Sequence, residues 1–223
     1  LNINRAELLR NQQELNQAQI RMMQAQLNPH FLCNTLDTMK WISKINKVPQ
    51  VAMMATNLAD ILRLCISPEE FVPLYREMEI LQRYIEIQKV RLGDDFAFRV
   101  SIPEELYDCM VPKMILQPIV ENAVIHGIKE NVPLTIRLKA WVGEETLYIS
   151  IIDDGKGFDQ EKAGEDGVPK SSKMSGIGLH NVKDRLYLSY KDRQSFSIGS
   201  VQGQGTEVQM TMPYTEWKEE SDV

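Results

Sequence analysis

From Leu1 to about Asn46 the chain is written almost entirely in good helix formers, and its apolar residues return every seven positions. Leu1, Leu8, Leu15, Met22, Pro29 and Leu36 form one line, and Ala18, Ala25, Leu32 and Met39 sit three residues after its later members. Such a repeat holds an apolar seam along one side of a helix, and the seam is stable only when another helix covers it. Asn4 and Asn11 stand at the second seam position early on, so the first two heptads are weak. From Ile20 a second stripe runs through Met23, Leu27, Phe31, Trp41, Ile42 and Ile45. One seam suits a two-stranded coiled coil; two suit a helix inside a four-helix bundle.

The one interruption is Pro29, followed directly by His30. Proline lacks an amide donor and clashes with the carbonyl four residues back, so inside a helix it costs about 3 kcal/mol. A strained point beside a titratable imidazole points to a working site more than to a packing choice. At about 100° per residue, His30 falls on the border between the two stripes, where an incoming group can reach it. Asn34 lies one turn further on. The competing reading is an ordinary histidine satisfied within a bundle.

Two further helices are predicted at residues 51–66 and 74–92, the first broken by Ser67-Pro68 and the second ended by Gly93. The sequence places a division near residue 94, with helices over 1–94 and a mixture of helices and strands over 95–223. In the second part, 96–102 reads as a strand, and a helix is predicted from near Pro112 to 128. Residues 134–142 and 146–152 alternate with the strand period across Gly143-Glu144-Glu145 and read as a hairpin. A loop rich in glycine and serine spans 158–175, and a helix follows over 178–190. A last hairpin joins 195–201 and 207–212 around Gly203-Gln204-Gly205. The predicted class is α+β: a helical bundle, then an α/β sandwich whose antiparallel-rich sheet is covered by helices on one face.

Four short motifs run along that sandwich. Glu121-Asn122-Ala123-Val124-Ile125-His126-Gly127 lies on a helix, and the Asn122 amide oxygen is a hard donor suited to Mg²⁺ and nucleotide phosphates. Asp153-Asp154-Gly155-Lys156-Gly157 closes a strand; a carboxylate there can accept the exocyclic amino proton of adenine, and Gly155 and Gly157 let the backbone come close. Gly176-Ile177-Gly178-Leu179 leads into a helix whose first amides attract phosphate. Gly203-Gln204-Gly205-Thr206 opens the final strand. Each motif alone reads as a turn or a surface amide; their order makes them a candidate ATP and Mg²⁺ site. His126 reads equally as a helix cap or a phosphate contact, and His180 as a surface residue before a nucleotide contact.

Net charge is −6 with a pI near 5.2, which speaks against a nucleic-acid or anionic-membrane surface. Cys33, Cys65 and Cys109 are far apart and read as free thiols in a reducing compartment. No apolar run approaches the roughly 20 residues of a membrane span, and no signal peptide opens the chain. It begins mid-pattern at Leu1 with no capping residue, which predicts a piece of a longer protein.

Roughly the last 110 residues resemble the ATP-binding domain shared by histidine kinases, gyrase-type topoisomerases and Hsp90-type chaperones, the GHKL or Bergerat type. The Asn122 motif resembles the family's N box, the Asp153 motif its G1 box and the Gly176–Leu179 motif its G2 box. Leu27-Asn28-Pro29-His30-Phe31-Leu32-Cys33-Asn34 resembles the phospho-acceptor motif of LytS/YesM-like sensor histidine kinases, and Leu116-Gln117-Pro118-Ile119-Val120-Glu121-Asn122-Ala123 that subfamily's N box. The resemblance implies a two-component sensor kinase that forms a homodimer through 1–94. It would phosphorylate His30 from Mg·ATP and pass the phosphoryl group to an aspartate of a response regulator. It also implies the cytoplasmic portion of a bacterial membrane sensor, attached to the membrane only through an upstream segment. Asn34 would orient the phosphoryl group or the water that removes it, and the loop over 158–175 would be a lid.

Some positions depart from the pattern. Cys33 stands where an aromatic residue is usual, and Asp37 where asparagine is. Ile125 replaces a common N-box lysine, for which Lys170 or Lys173 would substitute. Phe31 follows His30 where other subfamilies place an acidic residue, so no base is assigned. An ATP-hydrolysing clamp would need a glutamate four residues before Asn122, and Pro118 stands there. A degenerate kinase serving as a nucleotide-binding dimeric scaffold is the alternative to an active enzyme.

Overall fold

The computed structural model describes residues 29–129, 132–159 and 175–216. The heptads upstream of Pro29, Lys170, Lys173 and most of the expected lid lie outside the described residues. The chain folds as two compact units, Leu1–Ile66 and Ser67–Val223.

The first unit is a helical hairpin of α1 (Pro29–Ile45) and α2 (Pro49–Ile66). Lys47, at φ 56°, turns the chain between them. On α2 the buried residues are Ala52, Ala55, Asn57, Ala59 and Ile61, and the three alanines leave room for a helix to lie close. On α1 the buried positions are Cys33 and Ser43. Asp37 meets Arg63 of α2 at 3.0 Å in an exposed pair, an attraction of about 1 kcal/mol or less. Much of both stripes stays open: Leu32 and Met39 of the seam and Ile42 of the second stripe are 37%, 49% and 54% exposed. A helix has one side towards each neighbour, and here the hairpin partner takes the cysteine side and leaves the apolar stripes open.

The second unit opens with β1 (Phe71–Pro73) and α3 (Leu74–Leu92), followed by β2 (Phe96–Ser101) and β3 (Met110–Pro112). It continues with α4 (Gln117–Gly127), β4 (Leu134–Gly143), β5 (Thr146–Asp153), α5 (Ser175–Tyr190), β6 (Ser195–Val201) and β7 (Gly205–Pro213). The main sheet has the order β2-β4-β5-β7-β6, with only the β2–β4 pair parallel. Leu134, Ile136, Leu138 and Ala140 of β4, Leu147, Ile149 and Ile151 of β5, and Val208, Met210 and Met212 of β7 are buried. They pack with Ile119, Val120, Ala123 and Val124 of α4 and Val182 and Leu186 of α5, all buried as well. Alternation at period two, with one face covered, gives the expected sandwich.

The compact units divide after Ile66, and α3 buries Leu74, Ile80, Leu81, Tyr84 and Ile85 within the second. One expectation needs correction. Pro112 does not start a helix: it ends β3, which pairs with the short β1 through Phe71↔Pro112 and Val72↔Val111. The helix begins at Gln117, and Pro118 fills the first-turn position. Among the described residues, no helix is long and apolar enough to cross a membrane.

Candidate functional site

Strand β5 ends at Asp153, and the groups around that carboxylate come from turns that only glycine can make. Asp153 is 6% exposed. Burial, the largest influence, raises its pKa to about 6, and the amides of Gly155 and Thr206 pull it back. The Gly155 amide donates to Asp153 Oδ1 at 2.9 Å. A side-chain carbon on Gly155 would stand 2.2 Å from Gly127 Cα, so the end of α4 and the turn after β5 lie backbone to backbone. Lys156 N donates to the Gly127 carbonyl at 3.1 Å, tying the same two segments. Gly157, at φ +54°, faces the Val201 carbonyl, 2.1 Å from where its Cβ would be.

The β6–β7 hairpin closes the other side. Gly205 holds φ +114°, and a Cβ there would sit 1.9 Å from the Asp153 carbonyl oxygen. Left-handed strain and an unrelieved backbone clash add, so Gly205→Ala is expected to cost roughly 3 kcal/mol or more. Urea unfolding with an unchanged midpoint would contradict that. Thr206 Oγ1 and Ser200 Oγ are 3.0 Å apart, and Ser200 also donates to the Gly205 carbonyl at 3.0 Å and accepts from Phe158 N at 2.9 Å.

Asn122 is the sixth residue of α4. Its Nδ2 donates to the Pro118 carbonyl at 2.8 Å, which leaves Oδ1 as the acceptor facing away from that bond. Across from it, Gly178 of α5 comes so close that a Cβ would be 3.4 Å from Asn122 Nδ2. Gly176 lies in the first turn of α5, and Leu179 is buried at the end of that turn. His126 is in the last turn of α4, with its pKa lowered by partial burial. His180 is exposed, 3.4 Å from Asp184, a surface pair. Pro118, where a hydrolysing clamp would need glutamate, serves as the acceptor for Asn122.

Thus Asp153, Gly155, Gly157 and Thr206 form one cluster, Asn122 and Gly178 adjoin through α4 and α5, and His126 ends α4. His30 and Asn34 belong to the hairpin. There the Asn34 amide nitrogen lies 3.2 Å from His30 Nδ1, and the imidazole stays exposed. Two lysines escaped sequence reasoning. Lys129 Nζ donates to the carbonyls of Asp154 at 2.9 Å and Gly203 at 3.0 Å, stitching the turn after β5 to the last hairpin. Lys113, 8% exposed, donates to Ser67. A lone lysine in a loop carries no pattern that announces either role.

A family model described as "Histidine kinase" matches residues 18–96, and one described as "Histidine kinase-, DNA gyrase B-, and HSP90-like ATPase" matches 110–216. The chain belongs to the sensor histidine kinases with a GHKL-type ATPase domain. More particularly, it is 31% identical to the sensor histidine kinase YesM of Bacillus subtilis (strain 168) over 201 residues, 89% of this chain and 34% of YesM. It is 30% identical to the sensor histidine kinase BtsS of Escherichia coli (strain K12) over 209 residues, 93% of this chain and 35% of BtsS. The chain therefore spans about a third of the length of these relatives. The histidine kinase domain of the blue-light activated histidine kinase from Erythrobacter litoralis EL346 shares the fold, with a TM-score of 0.52 at 12% identity over 83% of this chain and 94% of that one.

Proposed function

We propose that the chain transfers the γ-phosphoryl group of ATP to His30 and that the group then passes to an aspartate of a response regulator. The observation that carries the reading is an imidazole both exposed and oriented on α1, held one turn along by Asn34. In the second unit, Asp153 accepts the adenine amino group, and the Gly155 and Gly157 turn and the Gly205–Thr206 hairpin frame the ring. The first turn of α5, with Gly176 and Gly178, directs its amides at the phosphates, and His126, mostly neutral at pH 7, stands at the rim. Asn122 Oδ1 is the atom that would hold Mg²⁺, which would supply charge neutralisation for the phosphates.

Asn34 makes its bond to His30 in either of two ways. With Nδ2 as donor, Nδ1 accepts and the ring proton sits on Nε2. In the other tautomer, reached when the exposed ring exchanges its Nε2 proton with solvent and takes one up at Nδ1, a half-turn of the amide brings Oδ1 to Nδ1–H and leaves the Nε2 lone pair free for attack. As the Nε2–P bond forms, the bond from Pγ to the bridging oxygen breaks and ADP leaves with that electron pair. The positive charge on the ring is stabilised by Asn34 Oδ1 until the Nδ1 proton passes to solvent, which the exposed ring meets directly. This assigns Asn34 a positioning role and needs no acidic residue at Phe31.

The open stripe of Leu32, Met39 and Ile42 fits a second copy of the hairpin, so a homodimeric bundle is part of the proposal. So is a cytoplasmic place for this portion of a bacterial membrane sensor. Incubation with γ-labelled ATP, with and without Mg²⁺, tests the whole. The native chain is expected to gain acid-labile, base-stable label only with Mg²⁺, and Asn122→Ala to lose it by a hundredfold or more. Native protein that binds ATP and takes no label would instead support a scaffold; Ile125, 54% exposed at the position where the N-box pattern predicts lysine, is the feature that favours it.

A further inference from the structure

Glu77 is the most completely enclosed carboxylate among the described residues, at 1% exposed, and none of the steps above uses it. It projects from the first turn of α3, and both its oxygens are occupied. Oε1 accepts the Met114 amide at 2.6 Å, and Oε2 accepts those of Ile115 and Leu116, each at 3.0 Å. These residues form the turn that launches α4. Met114 there holds φ 62°, a left-handed conformation that a methionine adopts only when its surroundings impose it. The same turn is gripped from the other side, where Arg185 of α5 donates to the Lys113 carbonyl.

The grip matters because of where it lies. Asn122 follows Leu116 by six residues of continuous chain, all of them helix, so a tilt at the turn moves its amide. Arg185 is seven residues, two turns, beyond Gly178, so one face of α5 touches both the launching turn and Asn122. At Gly178 there is no side chain to absorb a change, since a Cβ would already be 3.6 Å from Pro118 Cβ. Only a carboxylate suits the three converging amides: glutamine would turn an NH₂ towards an N–H, and alanine would leave all three buried without acceptors.

We infer that Glu77, with Arg185, is a positioning residue for the Mg²⁺ side of the nucleotide site, fixing Asn122 against α5. The inference rests on the reading of Asn122 as the Mg²⁺ ligand. It separates two parts of nucleotide affinity, because Asp153 is held by β5, the Gly155 amide and the last hairpin and meets α4 only at its far end, Gly127, whereas Asn122 lies midway between that end and the turn.

Calorimetric titration with a non-hydrolysable ATP analogue, once with Mg²⁺ and once with EDTA, tests it on the native chain, Glu77→Gln, Arg185→Gln and Asn122→Ala. The native chain is expected to bind more tightly with Mg²⁺. Glu77→Gln is expected to lose about tenfold of that gain while its affinity in EDTA stays within about twofold of native. A variant that keeps the native gain overturns the inference, and so does an equal loss in both buffers, the mark of general loosening. Should Glu77→Gln not fold, Arg185→Gln, altered on an exposed side chain, decides by the same criteria. Native affinity indifferent to Mg²⁺, or a gain that survives in Asn122→Ala, overturns the Asn122 reading and this inference with it.

Discussion

Replacing His30 by alanine is expected to leave no acid-labile phosphate on the protein, with affinity for ATP within about twofold of native. The two halves of that outcome come from the two units. His30 sits on the hairpin, where its bond is to Asn34 and its ring is exposed, so its removal leaves no buried group unsatisfied. The cluster that surrounds Asp153 is made of β5, α4 and the β6–β7 hairpin, all elements of the second unit. The fall in label is therefore complete, since the accepting imidazole is gone, while binding is spared. Of the other histidines, His180 pairs with Asp184 on the surface, and His126 ends the helix that carries Asn122. His126 is the competitor, so the label on native protein should map to the peptide carrying Pro29–Ile45 and not to that carrying Gln117–Gly127. Label that persists in His30→Ala would remove the central assignment.

Much of this was readable beforehand wherever one residue type has one physical job. The two β-hairpins follow from period-two alternation broken by turn residues, and β6 spans the expected Ser195–Val201. The glycine motifs were legible because left-handed or crowded backbone admits little else, as Gly157 and Gly205 show. What the sequence hid depends on partners far along the chain. The stripe of α3 says that the helix has an apolar face, not which unit covers it. Pro112 and Pro118 are equally good first-turn prolines by pattern; the left-handed Met114 between them decides, and methionine gives no sign of it. Glu77 reads as an ordinary acidic residue near a helix start, and its burial under three amides is invisible until Met114–Leu116 is folded against it.

Asp153→Asn should separate stability from function in opposite directions. In the native chain this carboxylate is 6% exposed, and burial lifts its pKa to about 6. At pH 7.5 it remains largely ionised, as an acceptor for an adenine amino group must be. The unfolded value is near 3.9, so between about pH 4 and 6 the folded protein holds more protons than the unfolded one. Stability from this group is therefore fully present below about pH 4 and is lost as the pH rises through 6. The two-unit gap corresponds to about 3 kcal/mol at neutral pH. Asparagine removes the buried charge and keeps an oxygen for the Gly155 amide, so the variant should melt higher, by about 2–4 °C for each kcal/mol regained. Its NH₂ would meet the adenine amine donor to donor, and affinity should fall roughly a hundredfold. The same residue predicts that native affinity weakens as the pH drops below about 6, where the acceptor is protonated. Thermal melting and titration at pH 7.5 and 5.5 measure all three effects. Affinity that is flat across that range, or retained by the asparagine variant, would place the adenine elsewhere; a variant that melts lower would mean that the surrounding amides repay the cost of burying the charge.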